Sequence, residues 1–164
     1  MAVEAEVFRD AMARLPAGVT VLSTGNGARM TTLTASSVTS VSLDPALLVA
    51  SVGIRSRWLP EVRRNGCFAV NVLAGHQTQV ADWCASASRH TSSGDEQLRF
   101  ADSVATLECD LYAEHPAGDH VLLLGEVTEV RLGARQPSLV LVNRSYAAVS
   151  GAMTRTDAGA LTCT

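Results

Sequence analysis

Thr31-Thr32-Leu33-Thr34-Ala35-Ser36-Ser37-Val38-Thr39-Ser40-Val41-Ser42-Leu43-Asp44-Pro45 decides how this chain is read. Its β-branched residues favour extended backbone, and Asp44-Pro45 stops it. Simple alternation would put the hydroxyls on one face of a strand. Ser36 and Ser37 are adjacent, so both faces carry them.

The flanking segments also read as strands. Residues 19–24 are extended, and Gly25-Asn26-Gly27 turns the chain back. Upstream, Val7, Phe8, Ala11, Met12 and Leu15 recur at helical spacing, which predicts an amphipathic helix over 4–15, ended by Pro16 and Gly18. Downstream, 47–52 is continuously apolar, as expected of a strand covered on both faces. Ser56 is placed to cap a short helix through Arg64, with Pro60 near its first turn and Asn65-Gly66 closing it.

Farther along, 67–73 reads as a strand and 76–88 as a helix with Val80, Ala81 and Cys84 on one face. Residues 89–103 are polar and read as a loop. Strands return at 104–113, 121–131 and 138–142, and 150–164 reads as a frayed tail. Strand and helix do not alternate regularly, which disfavours a doubly wound parallel sheet. The expected fold is mainly β: one domain over 1–149, an antiparallel barrel, closed or partly closed, with peripheral helices.

Composition narrows the function classes. With 164 residues the chain suits a single domain, and 47% hydrophobic residues supply a core. Only 18% are charged, low enough to suggest that part of the surface is buried against another subunit. A net charge of -3 without a basic block argues against nucleic-acid binding. All 13 basic residues are Arg, which removes Schiff-base chemistry on lysine. No apolar run approaches the ~20 residues of a membrane span, and Met1–Arg14 lacks a signal-peptide core, so a cytoplasmic protein is expected. Cys67, Cys84, Cys109 and Cys163 form no CxxC pair, and no HExxH is present, so no metal site is expected.

Three features have chemical potential. Small hydroxyls and backbone from Thr31 to Ser42 would let a flat heteroaromatic ring such as a flavin approach closely; a strand with one wet face has the same composition. Arg55-Ser56-Arg57 at a helix start suits a phosphate; an ordinary capped helix with solvated arginines would look alike. Gly118-Asp119-His120 precedes a strand, so His120 could touch a cofactor at a barrel mouth or serve structure alone. There is no GxGxxG after a strand, no P-loop and no GxSxG.

Together these segments resemble the short-chain flavin reductase family, whose members bind FMN or FAD in a split barrel. The resemblance runs through Phe8-Arg9-Asp10-Ala11-Met12, Pro16-Ala17-Gly18-Val19-Thr20-Val21 and Leu33 to Pro45. It continues in Arg55-Ser56, Phe68-Ala69-Val70-Asn71-Val72-Leu73, and Gly118-Asp119-His120 with Gly125-Glu126-Val127. It is closest to reductase components of two-component monooxygenases, especially those of aromatic polyketide antibiotic pathways.

The resemblance implies a homodimer with the flavin near its interface and NADH or NADPH as co-substrate. A hydride would pass from nicotinamide C4 to flavin N5, and reduced flavin would leave for a partner monooxygenase. Thr34, Ala35, Ser36 and Ser37 would line the isoalloxazine, with Ala50, Ser51 and Val52 at its other edge. Arg55 and Ser56 would hold its phosphate, and Asn71 and Val72 would lie close by. His120 would sit by the nicotinamide as the catalytic residue, and Arg144 and Tyr146 near the nicotinamide or the partner subunit. The chain departs from the family pattern at Thr31-Thr32, Val38 and Ala46, and most of all in the shortened stretch between Arg89 and Val104. That stretch helps shape the family's dinucleotide pocket. Its change leaves a second reading open: a split barrel turned to another reaction on an aromatic or polyketide intermediate.

Overall fold

The computed structural model describes residues 3–86 and 100–149. In chain order these form α1 (Ala5–Ala13), β1 (Ala17–Gly18), β2 (Thr20–Thr24), β3 (Thr31–Ala35), β4 (Val38–Leu43) and β5 (Ala46–Gly53). There follow α2 (Trp58–Asn65), β6 (Cys67–Val72), α3 (Thr78–Ala85), β7 (Ala105–Ala117), β8 (His120–Leu132), β9 (Leu139–Val142) and β10 (Ser145–Ala148). The expected tail at 150–164 and residues 89–99 of the expected loop lie outside the described residues.

Seven strands form one antiparallel sheet in the order β3-β2-β6-β7-β8-β5-β4. Its two edges, β3 and β4, are consecutive in the chain and joined only by Ser36-Ser37. The hydroxyl-rich stretch is therefore two strands rather than one. Its alternation slips at the paired serines because β3 pairs with β2 while β4 pairs with β5. No ladder connects β3 to β4, so the sheet is not closed. Its β3 end still curls back toward β5, as the twist of a long sheet allows: Leu33 and Ala35 of β3 share one core with Ala50 and Val52 of β5.

β5 corrects a second expectation. Leu48, Ala50 and Val52 are buried, while Leu47, Val49 and Ser51 on the opposite face are only half-buried. The apolar run is covered on one side.

β1, β9 and β10 form a small second sheet. β10 was not expected. It returns on β9 through the two-residue turn Asn143-Arg144, where both residues have positive φ, 50° and 61°. That geometry matches the twist of a tight hairpin, and Asn is among the residues that tolerate it.

The helices follow their sequence signals with one exception. In α2, Trp58, Leu59 and Val62 are buried, Pro60 lies in the first turn where no intrahelical N–H is required, and Gly66 ends the helix at φ 68°. In α3, Ala81 and Cys84 are buried and Val80 packs beside them. α1 forms as expected but buries no residue; Val7, Phe8, Met12 and Leu15 are all exposed. An amphipathic helix with a bare apolar face is normally covered by something else.

The main core lies inside the curled sheet. It joins Leu22, Val70, Phe68 and Leu123 to the inner residues of β5 and to α2, with Trp58 and Phe68 meeting edge to face at 5.9 Å. Gly125 is needed there, because a Cβ would lie 2.6 Å from Phe68 Cζ. Cys109 is buried in this core, and burial pushes its thiol up to about 12, so it stays protonated. A second cluster on the outer side joins Val19, Val21, Leu73 and Leu139 to α3.

Candidate functional site

The sequence-nominated residues fall into separate groups. One group gathers at the end of β5. Ser37 Oγ donates to the Ser51 carbonyl at 2.8 Å, and Gly53 lies opposite His120 in the β5–β8 ladder. The chain then turns sharply: the Ile54 amide reaches the Asp119 carbonyl at 3.0 Å, and the Ser56 amide reaches the Gly53 carbonyl at 2.9 Å. Ser37, Ser51, Arg55, Ser56 and His120 thus share one region, built from the sheet's open edge, the start of α2 and the tip of the β7–β8 hairpin.

The side chains here are poised for a polar ligand. Ser56 Oγ accepts from the Trp58 amide at 3.3 Å, so it sets the entry to α2 although the formal cap position is Arg57. Arg55 and Arg57 are exposed, and no ion pair is formed by either among the described residues. Two free guanidinium groups flanking a serine at a helix start fit the phosphate of a flavin nucleotide by charge and by donor count. The small Ser37 and Ser51 leave room for a ring beside it.

His120 is half-exposed, and its Nδ1 lies 2.7 Å from Asp119 Oδ1. The hydrogen bond to His120 holds the Asp119 carboxyl below its ordinary value. An ionised Asp119 orients the imidazole and leaves Nε2 free on the side facing Gly53, which has no side chain to cover it. The role of Asp119 was missed in the sequence. Its only signal was adjacency to His120, and adjacent residues in regular strand point to opposite faces.

The other nominated residues are placed differently. The side chains of Ala35, Ala50 and Val52 face the core, so only their backbones remain available. Ser36 is exposed at the edge crossover. Thr34 Oγ1 donates to the Ala81 carbonyl at 2.6 Å, tying β3 to α3. Asn71 is buried with its amide committed to the Val21 carbonyl, Ser23 Oγ and Thr106 Oγ1; Val72 follows it, half-buried. Arg144 pairs with Asp10 on α1, and Tyr146 donates to Asp82 on α3 at 3.1 Å. Tyr146 belongs to the second sheet and Arg144 to its β9–β10 turn, and neither is joined to the His120 group.

A family model described as the flavin reductase like domain matches residues 12–150. The chain belongs to this family. It is 40% identical over 134 residues to an NADH-dependent FMN reductase of Streptomyces nodosus subsp. asukaensis, covering 75% of this chain and 72% of that one. It is 36% identical over 141 residues to the reductase component of a 4-hydroxyphenylacetate 3-monooxygenase from Thermus thermophilus, covering 86% and 94%. It is also 36% identical over 160 residues to an actinorhodin polyketide dimerase of Streptomyces coelicolor, covering 93% and 90%. Among solved structures, an NADH:FAD oxidoreductase of Streptomyces globisporus superposes with a TM-score of 0.81 at 26% identity, covering 92% and 97%. The mainly β architecture is therefore that of the flavin reductases. No described helix is long and apolar enough to cross a membrane.

Proposed function

We propose that this protein is a cytoplasmic, NADH-dependent flavin reductase that supplies reduced FMN or FAD to a separate flavin-dependent monooxygenase. The observation that supports it most directly is the group at the end of β5: unpaired Arg55 and Arg57 about Ser56, small Ser37 and Ser51, and an oriented His120. The open seven-stranded sheet reads as the split barrel of such a reductase, in one domain over 1–149. A bound flavin would supply the hydride acceptor. The chain would hold its phosphate with Arg55 and Ser56, leave room for its ring with Ser37 and Ser51, and place the nicotinamide with His120. Hydride transfer needs no protein nucleophile or metal, only two rings held at near-contact distance with water excluded. The direct test is flavin absorbance retained by the purified protein, followed by anaerobic NADH oxidation.

Ser56→Asp separates phosphate binding from folding. Aspartate caps helices as well as serine, so α2 should persist. A carboxylate beside the flavin phosphate should weaken FMN binding by ~1 kcal/mol or more, about fivefold in Kd. Riboflavin, which lacks the phosphate, should bind the variant and the wild type equally. Equal FMN titrations would remove the phosphate assignment.

We further propose that the functional unit is a homodimer. Its supports are the bare apolar face of α1, the half-covered outer face of β5, and Leu43 at 95% exposure on β4. Phe8→Asp should shift sedimentation at micromolar concentration from dimer to monomer, because it places a charge in a desolvated contact. A wild-type monomer at that concentration would end this proposal.

The second reading, a flavin-reductase fold turned to another reaction on an aromatic or polyketide intermediate, is favoured by the near full-length likeness to the polyketide dimerase. Protein that binds flavin but is not reduced by NADH or NADPH would select it.

A further inference from the structure

The β7–β8 hairpin, whose tip holds Asp119 and His120, extends past its neighbour on one side. β6 pairs with β7 only as far as Cys67 opposite Asp110, and the Leu111 amide then donates to the Gly66 carbonyl at 2.8 Å. From Tyr112 to Ala117 no strand lies along this edge of β7 among the described residues. Pro116, which cannot donate to a ladder, suits such a bare edge. β8 stays paired to β5 through to Gly53 opposite His120, so ladder bonds hold the hairpin on the β8 side alone.

A bulge decides what faces this gap. The register of β7 on β8 shifts between Leu111 and Ala113, and the extra residue, Tyr112, turns Glu114 to the same face as Leu111. Glu114 therefore stands in one row with Leu123 and Ala50, both completely buried. A carboxylate on the core face of a sheet requires a partner. α2, which packs Trp58, Leu59 and Val62 into that core, supplies it. Arg63 Nε donates to Glu114 Oε1 at 3.1 Å and Nη2 to Oε2 at 2.7 Å, a bidentate fork between residues 51 positions apart. Isolated surface pairs contribute little, but ideal bidentate geometry is the exception, and the Glu114 side chain is only 25% exposed.

We propose that Arg63 and Glu114 are positioning residues for hydride transfer. Arg55 and Ser56, assigned above to the flavin phosphate, lead into α2, and the hairpin tip carries His120, assigned to the nicotinamide. The fork ties the helix to the hairpin on the side that β6 leaves open. The Ile54 amide, donating to the Asp119 carbonyl at 3.0 Å, ties them on the other. Together the two links fix the spacing between the ends of the site. Transfer between two rings falls steeply with misalignment, so a hairpin pinned on one side alone would align NADH less well. Flavin would bind as before, because Ser56 keeps its own bonds to Gly53 and Trp58. The kinetic role rests on the reductase reading; the pinning of the hairpin does not.

The test compares Arg63→Gln, Glu114→Gln and the double variant with wild type, by hydrogen exchange and by kinetics with FMN present. Arg64→Gln is the control, because Arg64 pairs with Glu61 inside α2. Amides of residues 112–120 should exchange about threefold to tenfold faster in the three variants, with those of β2 and β6 unchanged. KM for NADH should rise about threefold to tenfold, with kcat within about twofold of wild type and FMN Kd unaltered. The double variant should match either single, because a pair that acts as one unit is lost only once. The control should match wild type in every readout. Unchanged exchange at 112–120, faster exchange across the whole sheet, an unchanged KM, multiplied effects in the double variant, or an equal effect of Arg64→Gln would each overturn the proposal. A wild type that NADH does not reduce would remove the reductase reading and the kinetic role with it, while exchange would still decide whether the fork holds the hairpin.

Discussion

Replacing His120 by alanine is expected to lower kcat/KM for NADH about tenfold to a hundredfold, equivalent to ~1.4–2.7 kcal/mol of transition-state stabilisation. The imidazole is fixed by the 2.7 Å contact of its Nδ1 with Asp119, and its Nε2 faces the side chain-free Gly53. Such a ring can position or polarise a nicotinamide, but it need not donate a proton when the transferred species is a hydride. The loss should therefore appear in nicotinamide binding and alignment, while FMN affinity, which we assign to Arg55 and Ser56, changes little. Asp119→Asn should give a smaller loss, because an amide can still orient the ring but lacks the negative charge. Anaerobic stopped-flow flavin reduction measures both variants against wild type. An active wild type matched by His120→Ala would return His120 to a structural role without touching the family assignment.

Leu22→Ala should be the most destabilising of the substitutions considered, by about 3–5 kcal/mol. Leu22 is completely buried in β2, flanked by Leu33 of β3 and Val70 of β6. Removing its isobutyl group leaves a cavity that two ladders prevent from collapsing. For a chain of this size the thermal midpoint should fall by about 6–20 °C. Differential scanning calorimetry with saturating FMN absent and present reads the shift. A drop of less than 2 °C would mean that the sheet relaxes around the gap, and that its curled interior is less tightly packed than the burial implies.

Much of the architecture was legible in order and type. The helix over 4–15, the closing Gly66 and the outer strands follow from spacing and turn residues, because these signals act within one or two turns of backbone, whereas the cap expected at Ser56 falls one residue later, at Arg57. The short β10 went unseen because four residues have too little pattern of their own; its hairpin is set by two positive-φ residues, Asn143 and Arg144. The hydroxyl-rich stretch reads as one strand because its pattern is extended throughout. Its division at Ser36-Ser37 depends on which strand lies alongside, and that information is not local.

The site shows the same division. Arg55, Ser56 and His120 were nominated by residue type, and the structure gathers them with Ser37 and Ser51. Ala50 and Val52 were nominated alongside Ser51, but alternation along β5 turns their side chains into the core. The resemblance places Asn71 close to the flavin, but its side chain is committed to three hydrogen-bond partners supplied by β2 and β7.

The sequence by itself determined that this is a mainly β chain with an amphipathic first helix and a short second helix starting after Arg55-Ser56-Arg57, because composition and periodicity are local properties. The tertiary structure alone decided that the chain's consecutive strands β3 and β4 become opposite edges of one curled sheet. It alone turned Thr34 and Asn71 into structural hydrogen-bond partners, gave His120 its fixed ring, and brought Arg63 to Glu114. Each of these depends on residues tens of positions apart meeting across a ladder, and the register of those ladders is set by burial of the whole sheet at once.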